Sequence, residues 1–354
     1  QVDALGASLD AIRADIESSR GIRDADYIRR TILAQRAGEV IARLILLASR
    51  RRSTWLVGTG LLATSKVVEN MELGHNISHG QWDWMNDPEI HSATWEWDQV
   101  GPSDQWRLAH NREHHVYTNI VGMDHDLGFG ILRMSRDIPW TRTHLLQPLA
   151  NVILALTFEW GIALHDHAAQ VRYDEDRPSV APGSAMRSLI RKARRQMIKD
   201  FGVFPLLAGR RRRSVLAAGL AANVVRNLWS YLVIFCGHFP DGAETFTADT
   251  FDTETRAEWY LRQMLGSANF HAGPVLAVMS GHLCYQIEHH LFPDLPCNRY
   301  AEIARQVRAL CADYDLPYTT GSLPRQYLRV LATLHRLSLP DTVRGSRQPL
   351  DEAA

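Results

Sequence analysis

Residues 285–296 read YQIEHHLFPDLP, and the reading of the whole chain turns on them. His289 and His290 are adjacent. Gln286 lies three residues before the first and four before the second, so on a helix all three fall near one face. The Gln286 amide oxygen is a neutral metal ligand. One turn earlier on the same side stands His282, a candidate for a further ligand or for one acting through water.

Working outward, residues 110–115 read HNREHH. His110 and His114 share a helix face, while His115 points about 100° away, so the adjacent pair can serve two different ions. Residues 74–79 read GHNISH, with His75 and His79 one turn apart on one side of a helix. A single histidine, His238, ends the apolar run 215–239 in CGHFP. Eight of the 16 histidines thus sit in four short segments. Imidazole suits iron, zinc and copper. A zinc hydrolase needs three protein ligands and one open position; eight histidines plus a glutamine are enough for two ions. The paired Glu-x-x-His motifs of carboxylate-bridged bundles do not occur here as a pair.

The rest of the chain sets the context. Its 354 residues are 45% hydrophobic and carry a formal net charge of zero, so no overall field favours nucleic acid. Cys236, Cys284, Cys297 and Cys311 form no C-x-x-C pair and read as buried, reduced thiols. No apolar run opens the chain, so no secretory signal is expected. Val2, Leu5, Leu9, Ile12 and Ile16 mark an amphipathic helix. Apolar runs at 41–49 and 55–65 are split by Arg50, Arg51 and Arg52 and fit either a shallow hairpin or half of one span with snorkelling arginines. Stretches 145–164 and 215–239 are long enough to span a bilayer, and Asn223, Arg226 and Asn227 require one face of the second to be buried. From residue 293 the chain reads as soluble, with a helical stripe at Ile303, Val307, Leu310 and Tyr314. The arginines at 210–213 suggest a cytoplasmic loop. A span over 215–239 would then put His238 on the other side, in conflict with a cytoplasmic metal site. The basic stretch 191–213 suits phosphate groups or anionic headgroups. Asp83, Glu113, Asp124, Asp126 and Glu288 are candidates to fix the histidines' second ring nitrogens. Trp82, Trp84, Trp95 and Trp97 are candidates for tunnel or core. His91, His125, His144, His165, His167, His271 and His335 are read as structural or ambiguous.

Three boxes in order, H-x-x-x-H (His75, His79), H-x-x-x-H-H (His110, His114, His115) and Q-x-x-H-H (Gln286, His289, His290), closely resemble those of the membrane fatty acid desaturases. The flanks HGQWDWMNDPEIH, HHVYTN, CGHFPDG and YQIEHHLFPDLP resemble the bacterial acyl-CoA branch. The resemblance implies an all-α fold: an integral membrane helical stem under a cytosolic helical cap, with a histidine-rich di-iron site between them. One domain would cover 1–340, with membrane-embedded helices at about 39–66, 145–164 and 200–239 and a tail at 341–354. It implies ligation of two irons by His75, His79, His110, His114, His115, Gln286, His289 and His290, with His238 as the extra ligand that follows the last span. Animal members place an Asn, which holds a water, one turn before that histidine; here the position is Ile234, which would leave the water to another group such as His282. The implied reaction is O2-dependent insertion of a cis double bond into a long-chain acyl-CoA of about 16 to 18 carbons. Electrons would come from a separate ferredoxin or flavin/iron–sulfur NADPH reductase. A di-iron lipid hydroxylase or monooxygenase, and a non-enzymatic metal-binding membrane protein, are the alternatives.

Overall fold

The computed structural model describes residues 1–175, 181, 183–239 and 243–341. Residues 240–242 of the CGHFPDG flank, and 342–354 of the expected tail, lie outside them. The described chain is helical; its strands, Asn269–Phe270 and Thr320–Gly321, form one short parallel pair.

The arginines at 50–52 separate Ile22–Ala48 from Arg52–Val68, which double back as a hairpin. Glycine sets its closeness. A Cβ on Gly58 would lie 2.9 Å from Leu46 Cγ and 3.0 Å from Ile45 Cγ2, so the two arms meet only where a side chain is missing. The second arm continues through a π-helical segment, Glu69–His75, into Asn76–Ser78. The first histidine pair therefore sits at the inner end of a rigid arm.

Stretch 145–164 is not one straight span. Arg142–Leu156 and Phe158–Glu175 meet at 101°. The break falls at Thr157, and the buried Glu159 carboxylate just beyond it pairs with Arg226 at 2.5 Å, drawing the second helix into the protein. Gly161 permits the bend, since a Cβ there would lie 2.5 Å from Leu154 Cδ1.

Gly209–His238 is the one continuous helix among the described residues that is long and apolar enough to cross a membrane. Its 30 residues span about 45 Å at 1.5 Å per residue, against a hydrocarbon core of about 30 Å. Asn223, Arg226 and Asn227 are buried, as the sequence requires. Arg211 donates to the carbonyls of Leu47 and Ser49. Both arginine turns thus lie at one end of the stem, and His238 ends the helix at the other.

The remaining helices cap that far end. Leu5, Leu9, Ile12 and Ile16 of Val2–Ser19 are buried in one apolar cluster with Tyr260, Ile303 and Val307, so the first helix packs on the cap. Each such buried aliphatic side chain contributes about 1.5–3 kcal/mol.

Candidate metal centre

Four chain segments deliver histidines to one buried point. The first two are locally irregular: Glu69–His75 and Leu108–His114 are both π-helical, a form that concentrates at functional sites. The third is Gln286–Leu291, entered through a left-handed His282, and the fourth is the C-terminus of Arg212–His238. Gly237 lets the last two meet, because a Cβ there would lie 2.8 Å from Gln286 Cδ and Oε1.

The donors divide into two groups. Ligand atoms of His75, His79, His110 and His289 all lie within 4.8 Å of one another, and so do those of His114, His238 and His290. Gln286 joins the second group, its amide nitrogen 3.0 Å from His238 Nε2. His115 lies between them, its ring 4.8 Å from that of His79 and 4.5 Å from that of His290. As the helical reading expects, His110 and His114 share a face, their rings stacked at 4.9 Å, while the His115 ring stands nearly perpendicular to both; the stacked pair straddles the two groups, His110 in the first and His114 in the second.

Five of the outward ring nitrogens are held. His110 Nδ1 meets Asp126 at 3.0 Å, His114 Nδ1 meets Asp124 at 3.0 Å, and His290 Nδ1 meets Gln263 Oε1 at 3.0 Å. His75 Nδ1 meets Asn76 Oδ1 at 3.0 Å, and His289 Nδ1 lies 3.3 Å from the Tyr300 hydroxyl. The inward atoms are not. His110, His114, His289 and His290 Nε2, both ring nitrogens of His115, His238 Nδ1 and Gln286 Oε1 are buried with no hydrogen-bond partner. Each such orphan costs about 1–3 kcal/mol. A nitrogen-rich cluster of inward lone pairs with anchored outer nitrogens fits cations, and its two groups fit two of them.

Electrostatics agree. Burial, reinforced by neighbouring imidazoles, holds His75 down to about 3 and His79, His115, His289 and His290 well below the ordinary histidine range. These rings stay neutral, as ligands must. Burial also works against protonating His114, but the Asp124 carboxylate outweighs it and raises that group. Burial opposes ionisation of Asp126 too, yet hydrogen bonds from His110 and His165 keep it well below the carboxylate range.

Of the acids expected behind the histidines, Asp124 and Asp126 stand there and three others do not. Asp83 accepts from Ser92 N and Oγ at 2.7 and 2.6 Å. Glu113 pairs with Arg172 at 3.0 Å. Glu288 accepts from Asn269 and Tyr318, both at 2.9 Å, and burial pushes it up to about 7. His282 joins neither group; its Nδ1 lies 3.0 Å from Glu72 Oε2. His165, read as structural, bonds Asp126 Oδ1 at 2.8 Å. Asn76, Gln263 and Tyr300 were missed. Asn76 lies inside the first box, where a signal existed; Gln263 sits in an unremarkable helix and gave none.

A narrow slot of about 50 Å³ abuts the centre. Trp97, Trp106, Phe129, Phe158, Ile162 and Ile234 line it together with His75, His110, His238 and Gln286. Ile234 makes this position apolar, so no side-chain amide holds a water there. Trp82 and Trp95 are buried in the core, with Trp84 packed against it.

A family model described as fatty acid desaturase matches residues 53–322. The chain is 56% identical, over 344 residues, to the NADPH-dependent stearoyl-CoA 9-desaturase of Mycobacterium tuberculosis, covering 96% of this chain and 81% of that protein. It is 26% identical over 279 residues to the sn-1 linoleoyl-lipid 6-desaturase of a Synechocystis strain, covering 74% of each. Over most of its length, then, and across every histidine of the centre, this chain belongs to the fatty acid desaturase family.

Proposed function

We propose that the chain is an O2-dependent desaturase of a long-chain acyl-CoA, with two iron ions held by His75, His79, His110, His114, His115, His238, Gln286, His289 and His290. The observation that carries this reading is the convergence of unpartnered, buried ligand atoms on one side of an aromatic slot. When bound, the irons and O2 supply the oxidising power to break an unactivated C–H bond, which no side chain has.

The chain's own residues place and exclude. Trp97, Trp106, Phe129, Phe158, Ile162 and Ile234 sheath the acyl chain and keep water from the reacting carbons. Asp124, Asp126, Gln263, Asn76 and Tyr300 hold five of the eight imidazoles, those of His114, His110, His290, His75 and His289, in the tautomer that aims the free lone pair inward. Overall, one CH2–CH2 unit, O2, two electrons and two protons give one CH=CH unit and two waters.

The mycobacterial relative supports stearoyl-CoA as substrate, a double bond at position 9 and NADPH as the source of electrons. Those electrons arrive through a separate ferredoxin or flavin/iron–sulfur reductase. An open recess lined by Arg107, Arg191, Lys192, Arg194 and Arg195 suits the phosphates of CoA. Exposed Leu44, Val57, Leu149, Ile153, Leu207 and Val225 support a stem embedded in the cell membrane, with the histidine end facing the cytoplasm.

The test supplies the purified, iron-loaded chain with stearoyl-CoA, NADPH and a reductase, and weighs the acyl product. A product lighter by two hydrogens, absent with His289→Ala, is expected. One heavier by an oxygen atom would make the protein a hydroxylase, and turnover untouched by His289→Ala would remove the histidine centre from the reaction.

A further inference from the structure

Among the described residues, one more group of convergent donors is buried outside the histidine centre. Ligand atoms of Glu72, His282 and Cys297 all lie within 4.8 Å of one another, and all three residues are buried. We propose that Glu72, His282 and Cys297, with the Tyr27 hydroxyl beside them, form a separate site for one thiophilic divalent cation of the zinc type.

Geometry is the first support. His282 Nδ1 lies 3.0 Å from Glu72 Oε2, and Cys297 Sγ lies 3.2 Å from Glu72 Oε1. Around a tetrahedral ion with bonds of about 2.0–2.3 Å, ligand atoms stand roughly 3.3–3.7 Å apart, so the donors need to part by only tenths of an ångström. Tyr27 also donates to Glu72 Oε1. A carboxylate, an imidazole and a thiol are the mixed set that zinc-like ions take.

Charge is the second. Glu72 is fully buried, and among the described residues no lysine or arginine pairs with it. Its partners are a ring nitrogen, a thiol and a phenol drawn from three distant parts of the chain. A buried carboxylate with no lysine or arginine beside it carries a desolvation cost that a cation would reduce.

Backbone is the third. His282 holds φ 57°, unusual for a residue with a side chain. Gly281 before it has φ 65°, and a Cβ there would lie 2.3 Å from the Met71 carbonyl oxygen. The strained turn delivers the His282 ring to Glu72, and not to the irons' ligands, and such strain gathers at functional sites. His282 and Tyr27 also line an open cavity of about 970 Å³, through which an ion can enter.

Protons balance simply. Glu72 enters as carboxylate. His282 moves its ring proton from Nδ1 to Nε2, with no net change. Cys297, whose thiol is held well above its ordinary range by burial and by Glu72, gives up one proton to solvent for each ion bound. The ion would pin the third-box approach to the first-box helix. Cys297 N donates to Gln81 Oε1, and Gln81 Nε2 donates to the Tyr300 hydroxyl that stands behind His289. Its role there is positional.

The test loads the full chain with cobalt(II), and separately with zinc, and compares it with Cys297→Ser. Serine keeps a donor to Glu72 but supplies no thiolate. Expected are a sulfur-to-cobalt charge-transfer band and one sulfur in the zinc X-ray absorption shell, both lost in Cys297→Ser along with one metal per chain and both kept in Cys311→Ser. No sulfur around the metal in the unsubstituted chain, or an equal metal count in Cys297→Ser, would overturn the site and leave a hydrogen-bonded core cluster. Should Cys297→Ser fail to accumulate, the sulfur signal of the unsubstituted chain decides, because Cys236, Cys284 and Cys311 join no group of convergent donors among the described residues.

Discussion

A histidine is a better metal ligand when its other nitrogen is held, and the acids at 124 and 126 show how much one residue can do. Asp124 accepts from His114 Nδ1 and also from the backbone nitrogens of Asn119 and Asp126 at 2.7 and 2.9 Å. Asp124→Asn keeps the shape and removes the charge, and iron affinity should fall about 10–100-fold, measured as iron retained against a chelator. Gly237→Ala acts by volume. Its methyl would press on Gln286, at a cost of about 1–3 kcal/mol, and should lower both iron content and the unfolding midpoint in detergent; an unchanged iron count would remove Gln286 from the ligands. The histidines that converge were legible in the sequence because their boxes are short and closely spaced. Asp124 and Asp126 were legible as acids close to a box. Gln263 and Tyr300 were not, since nothing local distinguishes a glutamine or tyrosine that will meet an imidazole from far along the chain.

At the scale of elements, the sequence gives periodicity but not its interruptions. The shared face of His110 and His114 was readable from their spacing, but the π-turns at Glu69–His75 and Leu108–His114 were not, because no residue pattern announces a π-turn. The bend in 145–164 was equally hidden, because it depends on Glu159 finding Arg226 on another helix. That ion pair is buried on both sides, so Arg226→Met alone should cost about 3–5 kcal/mol by leaving Glu159 unpaired, whereas Arg226→Met with Glu159→Met should recover most of it. Thermal unfolding of the two variants in detergent checks this, and equal losses would mean that the pair does not hold the bend. The hairpin at 41–65 was readable as one of two options, since three consecutive arginines fit a turn but can also snorkel within one span.

For the whole molecule, the unbroken Arg212–His238 helix resolves the conflict between its two ends. The turns at 50–52 and 210–213 lie together at the end away from His238, so a cytoplasmic histidine centre places these arginines outside, against the usual charge bias. All four native cysteines are buried, which leaves a clean background for labelling. A cysteine placed at Ser49 should react with an impermeant maleimide on intact cells, and one at Ser8 only after permeabilisation. The reverse pattern would put the histidines outside. All-helical architecture was legible from the apolar runs and the boxes; the path of the stem was not, because short, partly polar helices read alike whether they face lipid or protein.

The claim on which the rest depends is that eight imidazoles and one amide, in two groups, hold two irons. The direct measurement is iron per chain, with X-ray absorption at the iron edge, on protein loaded anaerobically with iron(II). The account predicts two irons in shells of nitrogen and oxygen alone, with His289→Ala and His290→Ala each reducing the count. One iron or none, or a count unchanged by both substitutions, would contradict it.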